Sequence, residues 1–242
     1  MPNWCTNRLT ITGPKADVEA FIEKAKGKEL DCKGNPAQLS FDSIIPQQYD
    51  DPKYQNAKTS HVELNAEHPD FNWYQWRVDN WGVKWDLHPD EIGLETNAHL
   101  DDNTMDAVYE FTTAWCPPVQ FYEKITEMYP ALSFDAYAWE PGCSNWWMFF
   151  GEGGEVVDTD DQHIDQEEKL LEATKEKLSE LGYKLDSGDV QEVAHNLSCW
   201  YLEEDDLTEM PEACMVIEDS DEDIAKYAKE AGFKKARKKK SK

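Results

Sequence analysis

The sequence predicts an α+β protein in which two helices pack on one face of an antiparallel sheet. The first supporting observation is the order of patterns along residues 3–139, which runs strand, helix, strand, strand, helix, strand. The second is turn chemistry, because glycine, proline or asparagine separates these segments. The third is size, since 242 residues with 40% hydrophobic and 12% aromatic side chains can bury a large core.

A strand and an amphipathic helix open this pattern. Residues 3–12 alternate so that Cys5, Leu9 and Ile11 share one side, and Gly13-Pro14 ends the strand. The helix that follows places its apolar residues at i, i+3, i+4 and i+7, and these are Val18, Phe21, Ile22 and Ala25. The chain therefore begins with a β-α unit that has one apolar face.

Residues 28–89 interrupt the pattern with short apolar pieces separated by prolines. Structureless loops of this length are uncommon in compact domains, so we predict an insertion that its aromatic residues pack onto the domain. Within it, the spacing of Trp73 and Trp76 predicts a helix, and Asn80-Trp81-Gly82 predicts the end of that helix and a turn.

A predicted hairpin comes next. Two β-rich stretches, 91–100 and 106–115, are joined by the turn-forming residues 101–103. One face of the second strand carries Ala107, Tyr109, Phe111, Thr113 and Trp115. Val108, Thr112 and Ala114 line the other face.

A helix and a last strand complete the unit. Residues 119–129 predict a helix with Phe121, Ile125 and Met128 turned inward, and Pro130 stops it. Residues 132–139 resume the alternation of a strand. This order of elements is that of the split βαβ, or ferredoxin-like, antiparallel sheet.

The remaining sequence is more acidic and predicts a separate extension. Residues 151–233 hold 26 acids and six bases. We predict a ferredoxin-like domain at 1–157 with its insertion at about 28–89, a small acidic α+β extension at 158–233, and a basic disordered tail at 234–242.

Helical patterns predict two helices in this extension, at 164–181 and after Ser220, which is an N-cap candidate with Asp223 at the third helical position. Strand patterns appear at 192–202 and 214–217.

Five motifs occur together and in order across residues 1–157. They are MPNWCTN at 1–7, FDSIIP at 41–46, DNWGVKWD at 79–86, FTTAWCPP at 111–118, and YP at 129–130 with EPG at 140–142. By these motifs the chain resembles the YubB ferredoxin-like family, which phages and conjugative plasmids carry. The resemblance implies a ferredoxin-like fold and a mobile-element setting, and it implies no active site.

Charge is the most unusual property of the sequence. The 50 acids and 24 bases give a formal net charge of −26. The body of the protein therefore repels phosphates, and binding to nucleic acid or to an anionic membrane through that body is disfavoured. A patch of duplex DNA about 40 Å long carries roughly two dozen negative charges, so the net negative charge of this protein is comparable to that of a short DNA segment.

We therefore predict a non-enzymatic accessory protein that binds a basic, nucleic-acid-handling host protein, such as a defence component, and inhibits it as a nucleic-acid mimic. The predicted partner-binding acids are Glu203, Glu204, Asp205, Asp206, Glu218, Asp219, Asp221, Glu222 and Asp223. This hypothesis requires acids gathered on one face. The alternative is a highly soluble acidic protein whose charges are evenly spread.

Catalytic patterns are scarce, and we predict no cofactor and no catalytic residue. The chain has no P-loop, no G-x-G-x-x-G and no G-x-S-x-G, and its six cysteines have no zinc spacing. The enzyme alternative is a metal-dependent hydrolase or nuclease that would use Asp158, Asp160, Asp161 and His163. The competing interpretation of these four residues is a solvated acidic linker.

A third hypothesis concerns small-ligand binding by Trp81, Lys84 and Trp85, whose indoles and ammonium group would share one concave site. The competing interpretation is that these indoles fill the space between the insertion and the sheet.

No stretch is apolar for the roughly 20 residues that a membrane span needs, and no signal peptide is visible, so we expect a cytoplasmic protein.

Overall fold

The computed structural model describes residues 2–55, 68, 70–99, 103–142, 145–163, 166–197, 199–201, 215–217 and 219–235. The chain forms two compact units, Met1–Gln162 and His163–Lys242. The predicted boundary near residue 157 falls a few residues before this division.

The first unit is built on a six-stranded sheet. Its strands are β1 (Trp4–Pro14), β2 (Gly93–His99), β3 (Thr104–Ala114), β4 (Ser133–Glu140), β5 (Asn145–Glu152) and β6 (Glu155–His163). They lie in the order β2-β3-β1-β4-β5-β6. β1 pairs antiparallel with both β3 and β4, and β2 pairs antiparallel with β3. The first four strands therefore have the split βαβ arrangement, and the predicted ferredoxin-like fold class is confirmed.

The described residues of this unit form four α-helices, which are α1 (Lys15–Ala25), α2 (Phe41–Ile44), α3 (Trp73–Trp81) and α4 (Val119–Met128). The core contains the alternating buried residues of β1, β3 and β4. α1 contributes Phe21, whose ring centroid lies 5.9 Å from that of Phe134 in β4. The 28–89 segment contributes Phe41, whose ring lies 4.6 Å from that of Phe121 in α4. Its aromatic residues thus pack into the same core as the sheet.

Two large apolar residues of these elements are exposed, and one of them, Met128, is predicted from the sequence to turn inward. Trp115 is 49% exposed because β3 ends at Ala114 and Trp115 takes a positive φ of 78°, which breaks the strand alternation. Met128 is 50% exposed, and the buried face of α4 includes Tyr122 in addition to Phe121 and Ile125. At about 100° per residue, Met128 lies about 90° from the centre of that face.

The β5–β6 hairpin is absent from the sequence prediction, which places an acidic linker at residues 158–163. β5 pairs antiparallel with β4, and β6 follows at the edge of the sheet. Gly153 and Gly154 connect the two strands with φ values of 64° and 88°. A two-residue hairpin turn with both central φ values positive matches the right-handed twist of the strands, and glycine adopts it without strain.

The second unit contains α5 (Gln166–Glu180), α6 (Val190–Asn196), a two-stranded antiparallel sheet of β7 (Cys199–Tyr201) and β8 (Met215–Ile217), and α7 (Asp221–Glu230). Buried apolar residues from α5, α6 and α7 form its core, with Leu178, Val193 and Ile224 among them. Within the described residues, no helix combines the length and hydropathy needed to cross a membrane.

The predicted strand at 192–202 is mostly wrong, because residues 190–196 form α6 and, among the described residues of this range, only 199–201 form a strand. The Asp189 side chain caps α6 by accepting a hydrogen bond from the Gln191 backbone N–H at 2.9 Å. Val193, Ala194 and Leu197 are buried at helical spacing.

The predicted N-cap of α7 is confirmed, since Ser220 Oγ accepts a hydrogen bond from the Asp223 backbone N–H at 3.2 Å.

Candidate functional site

The predicted partner-binding acids divide into two groups. Glu203, Glu204, Asp205, Asp206 and Glu218 lie outside the described residues. Asp219 immediately precedes the N-cap of α7, and Asp221, Glu222 and Asp223 form its exposed first turn.

This first turn has a structural role of its own. Asp221 Oδ1 lies 3.4 Å from Lys177 Nζ, and the Asp223 carboxylate accepts a hydrogen bond from Ser220 Oγ at 2.6 Å. Carboxylates at a helix N-terminus also interact favourably with the helix dipole. The acids at 221–223 therefore stabilise the start of α7, whether or not they also bind a partner.

The structure separates the three residues of the predicted indole site. Trp81 is fully buried, and its Nε1–H donates to the Ile45 carbonyl oxygen at 3.0 Å. Trp85 is 41% exposed, and Lys84 Nζ lies 3.8 Å from the centroid of its ring. Trp81 serves the core, as in the competing interpretation, while Lys84 and Trp85 form a cation–π pair at the surface.

The predicted metal ligands lie along β6. Asp158 and Asp160 share one face because strand residues alternate, while Asp161 is on the other face. The side chain of His163 is outside the described residues. Among the described part of the chain, no three histidine, cysteine, aspartate or glutamate residues come together in a way that could hold a metal ion.

A cleft of about 430 Å³ in the first unit combines apolar walls with acidic residues. The end of α3 and the start of α4 form one side of it, and strands β4, β5 and β6 form the other. Its apolar lining includes Val78, Ala136, Trp147 and Phe149. This size lies within the usual range for small-ligand sites.

Three acidic residues belong to the lining of this cleft: Glu123 of α4 and Asp160 and Asp161 of β6. All three are exposed. No lysine or arginine is among the described lining residues. Lys124, the neighbour of Glu123, donates a hydrogen bond from its Nζ to Asn80 Oδ1 instead. The cleft is therefore electronegative.

Tyr122 and Cys116 also belong to the lining of the cleft, and both are neutral polar residues. The Tyr122 hydroxyl donates to Asn7 Oδ1 at 3.3 Å, and the Asn7 amide nitrogen donates to Thr113 Oγ1 at 2.9 Å. Burial raises the pKa of the Cys116 thiol and raises the pKa of Tyr122 well above its ordinary value. Both groups are therefore protonated at neutral pH, and Cys116 is not a thiolate nucleophile.

The acidity of the cleft continues along the sheet edge. Residues 145–163, which form the β5–β6 hairpin, hold five acids and no lysine or arginine. The five acids are Glu152, Glu155, Asp158, Asp160 and Asp161, and all are exposed. Across the described ranges, none of them takes part in an ion pair. We call residues 152–161 the acidic edge.

From the sequence, the acid cluster at 152–168 could contribute to a charged face, but the predicted partner-binding residues omit it, and the residues from Asp158 to His163 are interpreted as a linker. One signal was present: Gly153-Gly154 lies between apolar runs at 146–150 and at Val156-Val157, which is a hairpin pattern. Chemically, the edge and the cleft together offer negative charge, an apolar wall and an indole, which suit a cationic ligand.

A match to a family model supports the fold. Residues 95–180 match the family model described as a ferredoxin-like domain in Api92-like protein, so the chain contains a ferredoxin-like domain. The solved structure of protein api92 from Yersinia pseudotuberculosis is similar with a TM-score of 0.41 and 10% sequence identity, over 68% of this chain and 99% of that one. No curated protein matches the chain. The assignment to the YubB family, with its phage and plasmid setting, stays a prediction.

Proposed function

We propose that this chain is a non-enzymatic accessory protein of a phage or conjugative plasmid that binds a basic, nucleic-acid-handling host protein and blocks its nucleic-acid site. The net charge of −26 supports this proposal because it is comparable to the charge on a short stretch of duplex DNA. Long-range attraction would steer a basic partner toward the protein.

The acidic edge is the observation that carries the proposal. Its carboxylates are exposed and form no ion pairs among the described residues, so their charge is available to a partner. By contrast, Asp221 in the predicted set is paired with Lys177. We therefore add the acidic edge to the predicted acids of 203–223 as the partner-binding surface.

A competition assay tests this function. Host proteins retained on immobilised duplex DNA are challenged with the purified protein, and those released are identified and purified. We expect release above a buffer-only control in 50 mM salt, and we expect a purified released protein to bind this chain more weakly in 500 mM salt than in 50 mM salt, because salt screens the attraction. No release above the control, or equal affinity at the two salt concentrations, would contradict the proposal.

Charge-reversal variants locate the surface. The quadruple variant Glu152→Lys, Glu155→Lys, Asp158→Lys, Asp160→Lys should weaken binding of a released partner by 10-fold or more at low salt. The matched control reverses four acids elsewhere in the first unit: Asp17→Lys, Glu19→Lys, Glu23→Lys and Glu127→Lys, all exposed. The two variants have the same net charge. Equal losses would mean that total charge, and not the acidic edge, decides binding.

A further inference from the structure

We propose that the acidic cleft binds the side chain of an arginine, presented by an extended segment of the basic partner. The inference rests on the proposed function for the identity of the partner, but the cleft itself predicts the side chain. Three features of the cleft point to a guanidinium group on an apolar stem: its walls, its charge and its indole.

The walls suit an aliphatic stem. Ala136 and Ala138 of β4 are buried on the face of the sheet that meets α4, and their small side chains leave room below the rim. Phe149 pairs with Ala136, and Val78 closes the cleft from α3. A volume of about 430 Å³ accommodates a whole arginine side chain and part of the segment that carries it.

The charge suits a cation. Glu123 of α4 and Asp160 of β6 line opposite sides of the cleft, while the side chain of Asp161, which also belongs to the lining, lies on the other face of the strand. The C-terminal end of α3 and the N-terminal end of α4 both line the cleft. Their helix dipoles contribute a partial negative and a partial positive charge, so the two contributions to the potential in the cleft largely cancel. The carboxylates therefore decide the sign of the potential, and an anionic ligand is disfavoured.

The indole favours arginine over lysine. Trp147 is half-buried and pairs with Ala138, which places its side chain on the face of β5 that lines the cleft. A guanidinium is planar and weakly hydrated, so it stacks on an indole while it donates to a carboxylate in a bidentate geometry. An ammonium group is more strongly hydrated and lacks the planar surface for stacking.

Asp160 connects the cleft with the acidic edge. Its Oδ2 accepts a hydrogen bond from Gln162 Nε2 at 2.8 Å. This contact restricts the carboxylate to a subset of its rotamers, which lowers the entropy cost of pairing with a cation. Asp158 lies on the same face of the same strand but is not part of the cleft lining, so it is a matched control.

The experiment uses the full chain and three capped tripeptides, acetyl-Gly-X-Gly-amide, in which X is arginine, lysine or glutamine. Binding is followed by two-dimensional NMR, with the Trp147 indole N–H assigned from a Trp147→Phe variant. We expect the arginine peptide to shift the resonances of Trp147, Gln120 and Asp160 at millimolar concentration. The lysine peptide should bind at least threefold more weakly, and the glutamine peptide should cause no shift.

Two variants test the role of the cleft carboxylate. Asp160→Asn should weaken the arginine peptide by fivefold or more, whereas Asp158→Asn should change its affinity by less than twofold. Both remove one charge from the same strand, so equal losses would overturn the proposal in favour of general electrostatics. Absence of shifts at the cleft residues, or equal binding of the glutamine peptide, would also overturn it.

Failure of this inference is distinguishable from failure of the proposed function. If the peptide does not bind but a host protein is released from DNA and responds to the acidic-edge variant, the function stands and the arginine site falls. If the peptide binds at the cleft but no host protein is released, the arginine site stands and the proposed partner falls.

Discussion

Trp81 Nε1 donates a hydrogen bond to the carbonyl oxygen of Ile45 at 3.0 Å, and this bond joins the last residue of α3 to the end of α2. The centroid of the Trp81 ring also lies 5.9 Å from that of Phe41 and 5.6 Å from that of Trp76. A residue that the sequence suggests for ligand binding is thus a central packing element. Trp85 of the same motif lies at the surface, and its ring centroid is 6.3 Å from that of Trp4.

Replacing these two tryptophans should have very different effects on stability. Trp81→Ala should lower the free energy of unfolding by about 3–5 kcal/mol, because it leaves a large cavity in the core. Trp85→Ala should lower it by about 1 kcal/mol or less, because the ring is 41% exposed. Urea unfolding followed by circular dichroism measures both. Similar losses for the two variants would contradict the burial difference.

Two buried tyrosines should respond differently to loss of their hydroxyl groups. The Tyr109 hydroxyl is buried and has no hydrogen-bond partner among the described residues. Tyr109→Phe should therefore leave stability unchanged or raise it by up to about 1 kcal/mol. Tyr122→Phe removes the donor to Asn7 Oδ1 and should lower stability by about 1–3 kcal/mol. A destabilised Tyr109→Phe variant would reveal a partner for that hydroxyl, such as a buried water.

The Asp79 carboxylate should make stability depend on pH. Lys53 Nζ and Gln75 Nε2 each donate a hydrogen bond to this carboxylate at 2.7 Å. These hydrogen bonds lower the pKa of Asp79, and the bond from Lys53 has the largest effect. The folded-state pKa lies below the unfolded value of about 3.9, so the stabilisation is present above that pH and is lost as pH falls through the folded value.

The comparison of wild type with Asp79→Asn measures this effect. The difference in free energy of unfolding should be present at pH 7 and should shrink as the pH falls below about 4. Glu127→Gln, at an exposed position of α4, is the control and should show little difference at either pH. A difference between wild type and Asp79→Asn that grows toward low pH has the wrong sign for this network.

Gly82 ends α3 and should tolerate no side chain. Its φ is 88°, and an added Cβ would contact the Gln120 side chain and lie 3.1 Å from the Val119 nitrogen. Gly34 is a matched control, because its φ is 83° but an added Cβ would meet nothing within 4 Å. Gly34→Ala should cost about 1–2 kcal/mol from backbone strain alone, and Gly82→Ala should cost more. Equal losses would show that α4 moves freely to accommodate the new methyl group.

The N-cap of α7 should contribute measurably to the second unit. Ser220→Ala removes the side-chain acceptor for the Asp223 N–H and should lower stability by about 1 kcal/mol. Ser179→Ala, at an exposed position in α5, is the control and should be neutral or slightly stabilising, since alanine is the better helix former. Thermal unfolding of both variants provides the comparison, and a neutral Ser220→Ala would show that the cap is dispensable.

The elements predicted with most success are those with strong local signals. β1 ends at Pro14 and α3 is capped by Gly82, which has the positive φ that glycine favours at that position. α6 was missed because its seven residues hold few apolar positions, and the same segment also fits a short strand. Met128 fits a helical repeat as well as Tyr122 does, and only the direction of the neighbouring core separates them.

The amino-acid sequence alone determined the fold class, the helix and strand ends at glycine, proline and serine, and the large negative charge, because these depend on local backbone chemistry and composition. The tertiary structure decided that Trp81 is buried while Trp85 is exposed, and that residues 145–163 extend the sheet and carry the acidic edge beside a cleft. Burial and clefts arise when residues distant in the chain pack together. The periodicity of one segment does not show which other segments will pack against it.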